Sequence, residues 1–247
     1  MTADSWTKAV RQQLGLGRVL PLGGPHDGAW ITEQAAESAL RRGADSLRGV
    51  ALGALRISSA DPDAPEAEAA VPAPPSALPP GPLRVTADFA AAAGPAAEPF
   101  PAMASRLRTA LSCTAEERLG LRVTEVDLRV THLLENPEGA EHPEDAEGAA
   151  RPAPEPTPGA PAPPTGDDED SRTAAAALAV PGVVRLTTAL GGALTTGPAL
   201  PRRHVRVELA VSEERRALDV AREVRSAVSA ALPDHPSVAV LVTAVGG

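Results

Sequence analysis

The first half of the chain alternates between stretches with helical and with strand-like spacing of apolar residues. Residues 31–48 predict an amphipathic helix that begins after an N-cap at Thr32. A second helix is expected from about Pro101, because proline is favourable in a first turn and the following apolar residues are four apart. Two strand-like runs lie between these helices, one after Gly49 and one over residues 83–89.

A third strand is expected in residues 119–134, which close this half. The apolar side chains up to Val123 have one parity, whereas those from Val126 onward have the other. We therefore expect a β-bulge near Thr124 and Glu125. The predicted order of elements is helix, strand, strand, helix, strand.

The second half of the chain partly repeats this order. Residues 204–211 alternate between apolar and polar side chains, which predicts a half-buried strand. An amphipathic helix is expected from an N-cap at Ser212 to a stop at Pro233. Residues 237–245 form a near-continuous apolar run, which is typical of a strand covered on more than one side. A counterpart of the first helix is not evident.

Two stretches lack both periodicities. Residues 61–82 are rich in proline, which fits neither a helix nor a strand ladder, and are expected to form a loop insertion. Residues 135–171 mix Pro, Glu, Asp, Ala and Gly, and predict a disordered linker. We therefore predict an α+β protein with a first module at 1–134 and a second at 172–247, each a mixed or antiparallel sheet packed with one or two amphipathic helices. One interlocked body built from both halves is the alternative.

Four segments of the second module follow one another in an informative order: PGVVRLTTAL, HVRVELAV, ALDVAREVRSAVSAAL and SVAVLVTAV. A Gly-Val turn, an alternating strand, an amphipathic helix and a Val-rich strand in this order resemble the alkaline shock protein family, also described as an envelope stress response family. In the first module, ITEQAAESAL and LRGV resemble that family's opening helix and Gly-Val turn. The resemblance implies small α/β domains without known catalytic residues, linked to alkaline or envelope stress, sometimes through a membrane-anchored partner.

Composition and charge narrow the class of protein. The net charge is -9, but residues 135–170 hold eleven acids and one base, so the remainder is nearly neutral and lacks the basic field of a dedicated nucleic-acid binder. The single cysteine allows no internal disulfide, and no apolar run is long enough for a signal peptide or a transmembrane segment. We expect a cytoplasmic protein. The high content of Ala, Gly, Pro and Arg is typical of a GC-rich genome, such as an actinobacterial one.

Candidate catalytic and metal-binding residues are few. Cys113 and His132 are conceivable as a nucleophile and base, but Cys113 lies at the end of a predicted helix, without an electropositive helix N-terminus beside it. The acids at 167–170 lack the turn glycine and the ligand spacing of a calcium loop. We therefore expect no catalytic residue, no cofactor and no metal, and a protein that is not an enzyme.

The remaining functional feature is a set of arginines outside the apolar stripe of the last helix: Arg215, Arg216, Arg222 and Arg225. They form a candidate interaction face for acidic lipid headgroups, nucleic acid or the acidic linker, and the simpler interpretation is a solvated face balanced by neighbouring acids. We expect a non-catalytic interaction or scaffold protein that binds a protein partner. A membrane-anchored protein is one such partner, and the formation of a homo-oligomer is left open. The alternative is a nucleic-acid-associated regulator that uses the arginine face, although nucleic acid is the less favoured partner.

Overall fold

The computed structural model describes residues 17–63, 69–95, 97–134, 169–189, 194–197 and 203–246. The strands within these residues are β1 (Val19–Leu22), β2 (Ala29–Thr32), β3 (Val50–Ser59), β4 (Leu83–Ala92), β5 (Val123–Leu134), β6 (Val183–Leu186), β7 (Leu194–Gly197), β8 (His204–Val211) and β9 (Ser237–Val245). The helices are α1 (Glu33–Ala44), α2 (Phe100–Cys113), a π-helix (Thr114–Leu119), α3 (Glu169–Leu178) and α4 (Ala217–Ala231).

These elements form two mixed sheets with helices packed on them, which confirms the predicted α+β class. The larger sheet has six strands in the order β1-β2-β9-β8-β6, with β7 also paired to β8. The smaller sheet has three strands in the order β3-β4-β5. Buried residues of both sheets and of the helices belong to one continuous apolar cluster.

Both halves of the chain repeat one topology. The first half runs α1, β3, β4, α2, β5, with the π-helix before β5, and the second runs α3, β6, β8, α4, β9, with the short strand β7 between β6 and β8. In each half the first of these strands pairs antiparallel with the second, and the second pairs parallel with the third.

Helix α3 precedes β6 and is the counterpart of α1 in the second half. The expectation that the second half lacks such a helix is therefore wrong. Helix α3 also contains the last three residues of the predicted linker, whose residues 135–168 lie outside the described residues. The pattern of apolar residues does not predict this helix, because it lacks a broad apolar stripe and its buried residues are Thr173 and Ala177. Glu169 and Asp170 stand in its first turn, where acidic side chains stabilise a helix N-terminus.

The two halves share the larger sheet. Strand β2, from the first half, pairs in parallel with β9, so that Trp30 lies opposite Leu241. Helix α1 packs against β9 as well as against β3. The boundary predicted between 1–134 and 172–247 therefore does not separate two sheets, and the arrangement is that of the interlocked alternative. Strands β1 and β2 have four residues each and need this wider sheet to bury their apolar side chains.

Several local predictions are confirmed. Helix α1 follows Thr32, whose Oγ1 accepts a hydrogen bond from the Ala35 N–H at 3.3 Å. Strand β5 bulges at Thr124, because the neighbours Val123 and Glu125 pair with consecutive residues of β4. The apolar alternation of β4 and β8 and the apolar stripe of α4 are all buried.

The predicted N-cap of the last helix is wrong. Helix α4 begins at Ala217, and Ser212 instead accepts a hydrogen bond from the Glu214 N–H at 3.1 Å, two residues on. Arg216 precedes the helix in an extended conformation, and its Nε donates to the Glu116 carbonyl at 2.9 Å. This contact joins the segment before α4 to the π-helix, which is remote in sequence.

Strand β9 is buried on both faces, as its apolar run predicts. One face, which includes Val240, joins the main cluster. On the other face, Ala239 and Leu241 pack with Trp30 and Val71.

The proline-rich insertion covers the outer edge of the larger sheet. The Leu78 N–H donates to the Val19 carbonyl at 2.8 Å, and the Val19 N–H donates to the Ser76 carbonyl at 3.3 Å. An exposed strand edge invites pairing with other chains, and here residues of the insertion occupy it. The predicted loop, of which residues 64–68 lie outside the described residues, thus acts as an edge cover.

Candidate interaction surface

The four predicted arginines stand on or just before α4, outside its buried stripe. The structure does not gather them into one site. Arg216 and Arg222 line one cleft, Arg222 and Arg225 line a second, and Arg215 and Arg216 line a third. Each arginine also makes contacts within the chain, which determine what it can offer to a partner.

Arg222 forms a two-pronged ion pair with Asp27, in the loop between β1 and β2. Its Nε lies 2.8 Å from Asp27 Oδ1 and its Nη2 lies 3.1 Å from Oδ2. The Gly24 N–H donates to the same carboxylate at 2.7 Å. Burial alone would raise the pKa of Asp27, but these hydrogen bonds and the charges of Arg222 and Arg225 hold the pKa below its ordinary value. The pair thus fixes the loop to α4.

Arg225 is partly buried and binds carbonyl groups. Its Nε donates to the Val238 carbonyl at 2.8 Å, and its Nη1 donates to the carbonyls of His26, at 3.0 Å, and of Asp27. Burial lowers the pKa of Arg225, against the opposing effect of the Asp27 charge. This side chain ties α4 to the start of β9 and to the β1–β2 loop, so its role is structural.

Arg215 turns toward the other side of α4. It donates to the Pro181 carbonyl at 2.7 Å and to Glu223 at 2.9 Å. The hydrogen bond from Arg215 lowers the pKa of the Glu223 carboxyl. Acidic neighbours therefore balance this arginine, as the simpler interpretation of the face proposes.

One cleft beside these arginines, of about 440 Å³, lies between α4, the β1–β2 loop, the π-helix and the start of β5. Its basic lining side chains are Arg122 and Arg222, which are exposed, and Arg216, which is half-buried, and Glu116 is the acid among its lining residues. We call it the seam cleft, because residues from both halves of the chain line it. Its floor is shaped by glycine: the Gly23 N–H donates to the Gly120 carbonyl at 2.9 Å.

Sequence reasoning missed Asp27, Gly120 and Arg122 as parts of this surface. Gly120 carries a signal that could be used, because it ends the π-helix with a φ of 88° and a glycine after a helix is a common C-terminal signal. Asp27 and Arg122 carry none, since Asp27 approaches α4 through the pairing of β2 with β9, and Arg122 is positioned beside β4, whose Leu83 N–H donates to its carbonyl.

The conceivable pair of Cys113 and His132 is separated by the fold. Cys113 is exposed at the end of α2, which is followed by the π-helix and then by β5. His132 lies near the far end of β5, about 30 Å along the strand from its start at 3.3 Å per residue. Its Nδ1 lies 3.1 Å from Thr131 Oγ1.

Within the described part of the chain, no group of three or more His, Cys, Asp or Glu side chains is placed to hold a metal ion. None of the helices in that part combines the length and the apolar character needed to cross a membrane. Searches of protein-family models, of curated proteins and of solved structures found nothing that matches this chain.

Proposed function

We propose that this chain is a non-catalytic, cytoplasmic interaction or scaffold protein of the alkaline shock, or envelope stress response, type. The observation that carries the proposal is the repeated topology of the two halves, helix, strand, strand, helix, strand, with the same strand pairing in each. That order extends to the first half the pattern on which the family resemblance rests. Such a protein acts through a surface that a partner recognises.

The seam cleft is the surface that we assign to a protein partner. It is concave, and three arginines line it beside a single acid. Arginine suits such a place because its planar guanidinium pairs with carboxylates in two-pronged geometry. An acidic segment of a partner, which can be membrane-anchored, fits this chemistry.

The alternative of a nucleic-acid-associated regulator has less support. A nucleic-acid binder presents a basic field, whereas the chain outside residues 135–170 is nearly neutral and Glu223 pairs with Arg215. A titration of the protein with nucleic acid at several salt concentrations tests this alternative. Phosphate contacts predict binding at low salt and an affinity that falls steeply as the salt concentration rises.

A co-purification experiment with matched variants tests the proposal. The full chain and an Arg122→Glu variant are used as bait in lysate of the source cells, with Arg56→Glu on β3, an exposed arginine outside the cleft, as the control of equal charge change. We expect a protein that the wild type and Arg56→Glu retain and Arg122→Glu loses. Recovery of no protein above the empty resin would contradict the proposal, and so would labelling of Cys113 or a serine by an activity probe.

A further inference from the structure

Strand β5 offers a long open edge. It has twelve residues and stands at the end of the smaller sheet, where β4 pairs with one side of it. Among the described residues, no strand pairs with its other side, and within residues 126–130 the Val126 carbonyl accepts a hydrogen bond from Arg108 Nε at 3.2 Å, which a paired strand would displace or share. The N–H and C=O groups along such an edge can pair with another chain. Two apolar side chains on this strand are also exposed, Val130 at 39% and Leu133 at 57%.

The second half of the chain shows what this position in the topology accepts. Strand β9 corresponds to β5, and its outer edge is paired in parallel with β2. The larger sheet therefore continues beyond β9, whereas the smaller sheet ends at β5, the equivalent strand. The corresponding edge of β5 is the natural place for an added strand.

The sequence of β5 is complementary to itself. Between its two bulges, residues 126–130 read Val-Asp-Leu-Arg-Val, and the reverse reading is Val-Arg-Leu-Asp-Val. In an antiparallel pair of two copies centred on Leu128, each Val therefore faces a Val and each Asp127 faces an Arg129. Opposite charges directly across a sheet stabilise the pair, and like charges destabilise it.

Neighbouring registers lack this complementarity. A shift of the pairing by two residues in one direction places Asp127 opposite Asp127 of the second copy, although it sets Glu125 opposite Arg129, and a shift in the other direction places Arg129 opposite Arg129. A shift by one residue sets apolar side chains opposite polar ones. The centred register is the one in which both the charges and the apolar positions match.

The existing ion pairs fit the same register. Arg129 binds Asp88 of β4, with its Nε 2.9 Å from the carboxylate, and its side chain is 75% exposed. Asp127 is 61% exposed and lies 3.6 Å from Arg84. In the centred register, Asp127 of the second copy extends the row formed by Asp88 and Arg129. Arginine has enough donors to serve both carboxylates.

We propose that a second copy of this chain pairs with β5 along its open edge, antiparallel and centred on Leu128, to form a two-fold symmetric dimer with one continuous sheet. A two-fold axis through the interface brings the same surface of both copies together, which is the geometry that a self-complementary strand requires. The proposal does not rest on the function of the seam cleft. A strand from another protein or from residues 135–168 of the same chain would be the competing occupant of this edge.

Two single variants and their mixture test the proposal. Asp127→Arg sets arginines opposite arginines in a homodimer, and Arg129→Asp sets aspartates opposite aspartates. A mixture of the two variants restores opposite charges in both rows. Light scattering after gel filtration gives the mass of each sample, and circular dichroism checks that each variant is folded.

We expect the wild type at about 100 µM, where a micromolar dissociation constant gives mainly dimer, to have twice the chain mass of 25.1 kDa. Each variant alone should have the mass of one chain, and their mixture should form the dimer again. Arg56→Glu, on the far strand of the smaller sheet, should leave the wild-type dimer unchanged. A monomeric wild type, dimers of both single variants, or a mixture that stays monomeric would each overturn the proposal.

Discussion

Arg222 and Asp27 form an ion pair across 195 positions of the sequence, with the guanidinium and carboxylate joined by contacts of 2.8 and 3.1 Å. One partner belongs to α4, in the second half of the chain, and the other to the loop between β1 and β2, in the first. The pair lies at one end of the seam cleft. It fastens the two halves at the point where β2 joins β9.

Replacing Arg222 by Gln should destabilise the fold by about 1 kcal/mol, since solvent screens a half-exposed guanidinium and an exposed ion pair contributes little. The free energy of unfolding in urea measures the effect. Arg56→Gln serves as a control, because that exposed side chain lies on β3, away from the join. Equal stability of the Arg222→Gln and Arg56→Gln variants would show that the pair does not fasten the halves.

Gly120 is a position where any side chain should be costly. Its φ is 88°, and a Cβ there would lie 2.5 Å from Leu218 Cβ of α4. The strained backbone and the overlap together predict a loss of about 3 kcal/mol for Gly120→Ala. Gly81→Ala is the matched control, because a Cβ there meets no atom within 4 Å. Thermal unfolding of the two variants should therefore differ by many degrees, and similar melting temperatures would contradict the close approach of α4.

Acid should destabilise the protein through His204, at the start of β8. Burial and the charge of Arg206 lower the pKa of this imidazole, against a hydrogen bond with Ser237. The unfolded chain therefore takes up a proton first, and the free energy of unfolding should fall as the pH drops below about 6.5. His204→Asn should flatten this limb of the pH profile, measured by urea unfolding. The same slope in variant and wild type would assign the acid sensitivity to another group.

The parts of the fold that sequence could predict are those with a local cause. The alternation of apolar and polar residues predicted β4 and β8, and the stripe of apolar residues predicted α4. The change in parity of the apolar residues in β5 predicted the bulge at Thr124. Strand β2 was not predicted, because its four residues acquire their strand character from β9, some 200 positions away. Helix α3 was missed because alanine gives no stripe. Ser212 was taken as the cap because contacts of Arg216 with the π-helix are invisible in sequence.

The candidate surface was predictable only in part. The arginines of α4 were found from their position outside the apolar stripe, but their partners were not. Asp27 approaches Arg222 only because β2 pairs with β9, and Glu116 approaches Arg216 only because the π-helix packs against α4. Non-local pairing therefore decides which basic side chains remain available to a partner.

The central claim, that both halves share one sheet through β2 and β9, is tested most directly by cutting the chain between them. A specific protease site is introduced within residues 135–168, and the cleaved protein is run on gel filtration without and with denaturant. We predict that the N-terminal and C-terminal fragments elute together under native conditions and separate in denaturant. Fragments that separate without denaturant, each still folded by circular dichroism, would contradict the shared sheet and would mean that the two halves are independent modules.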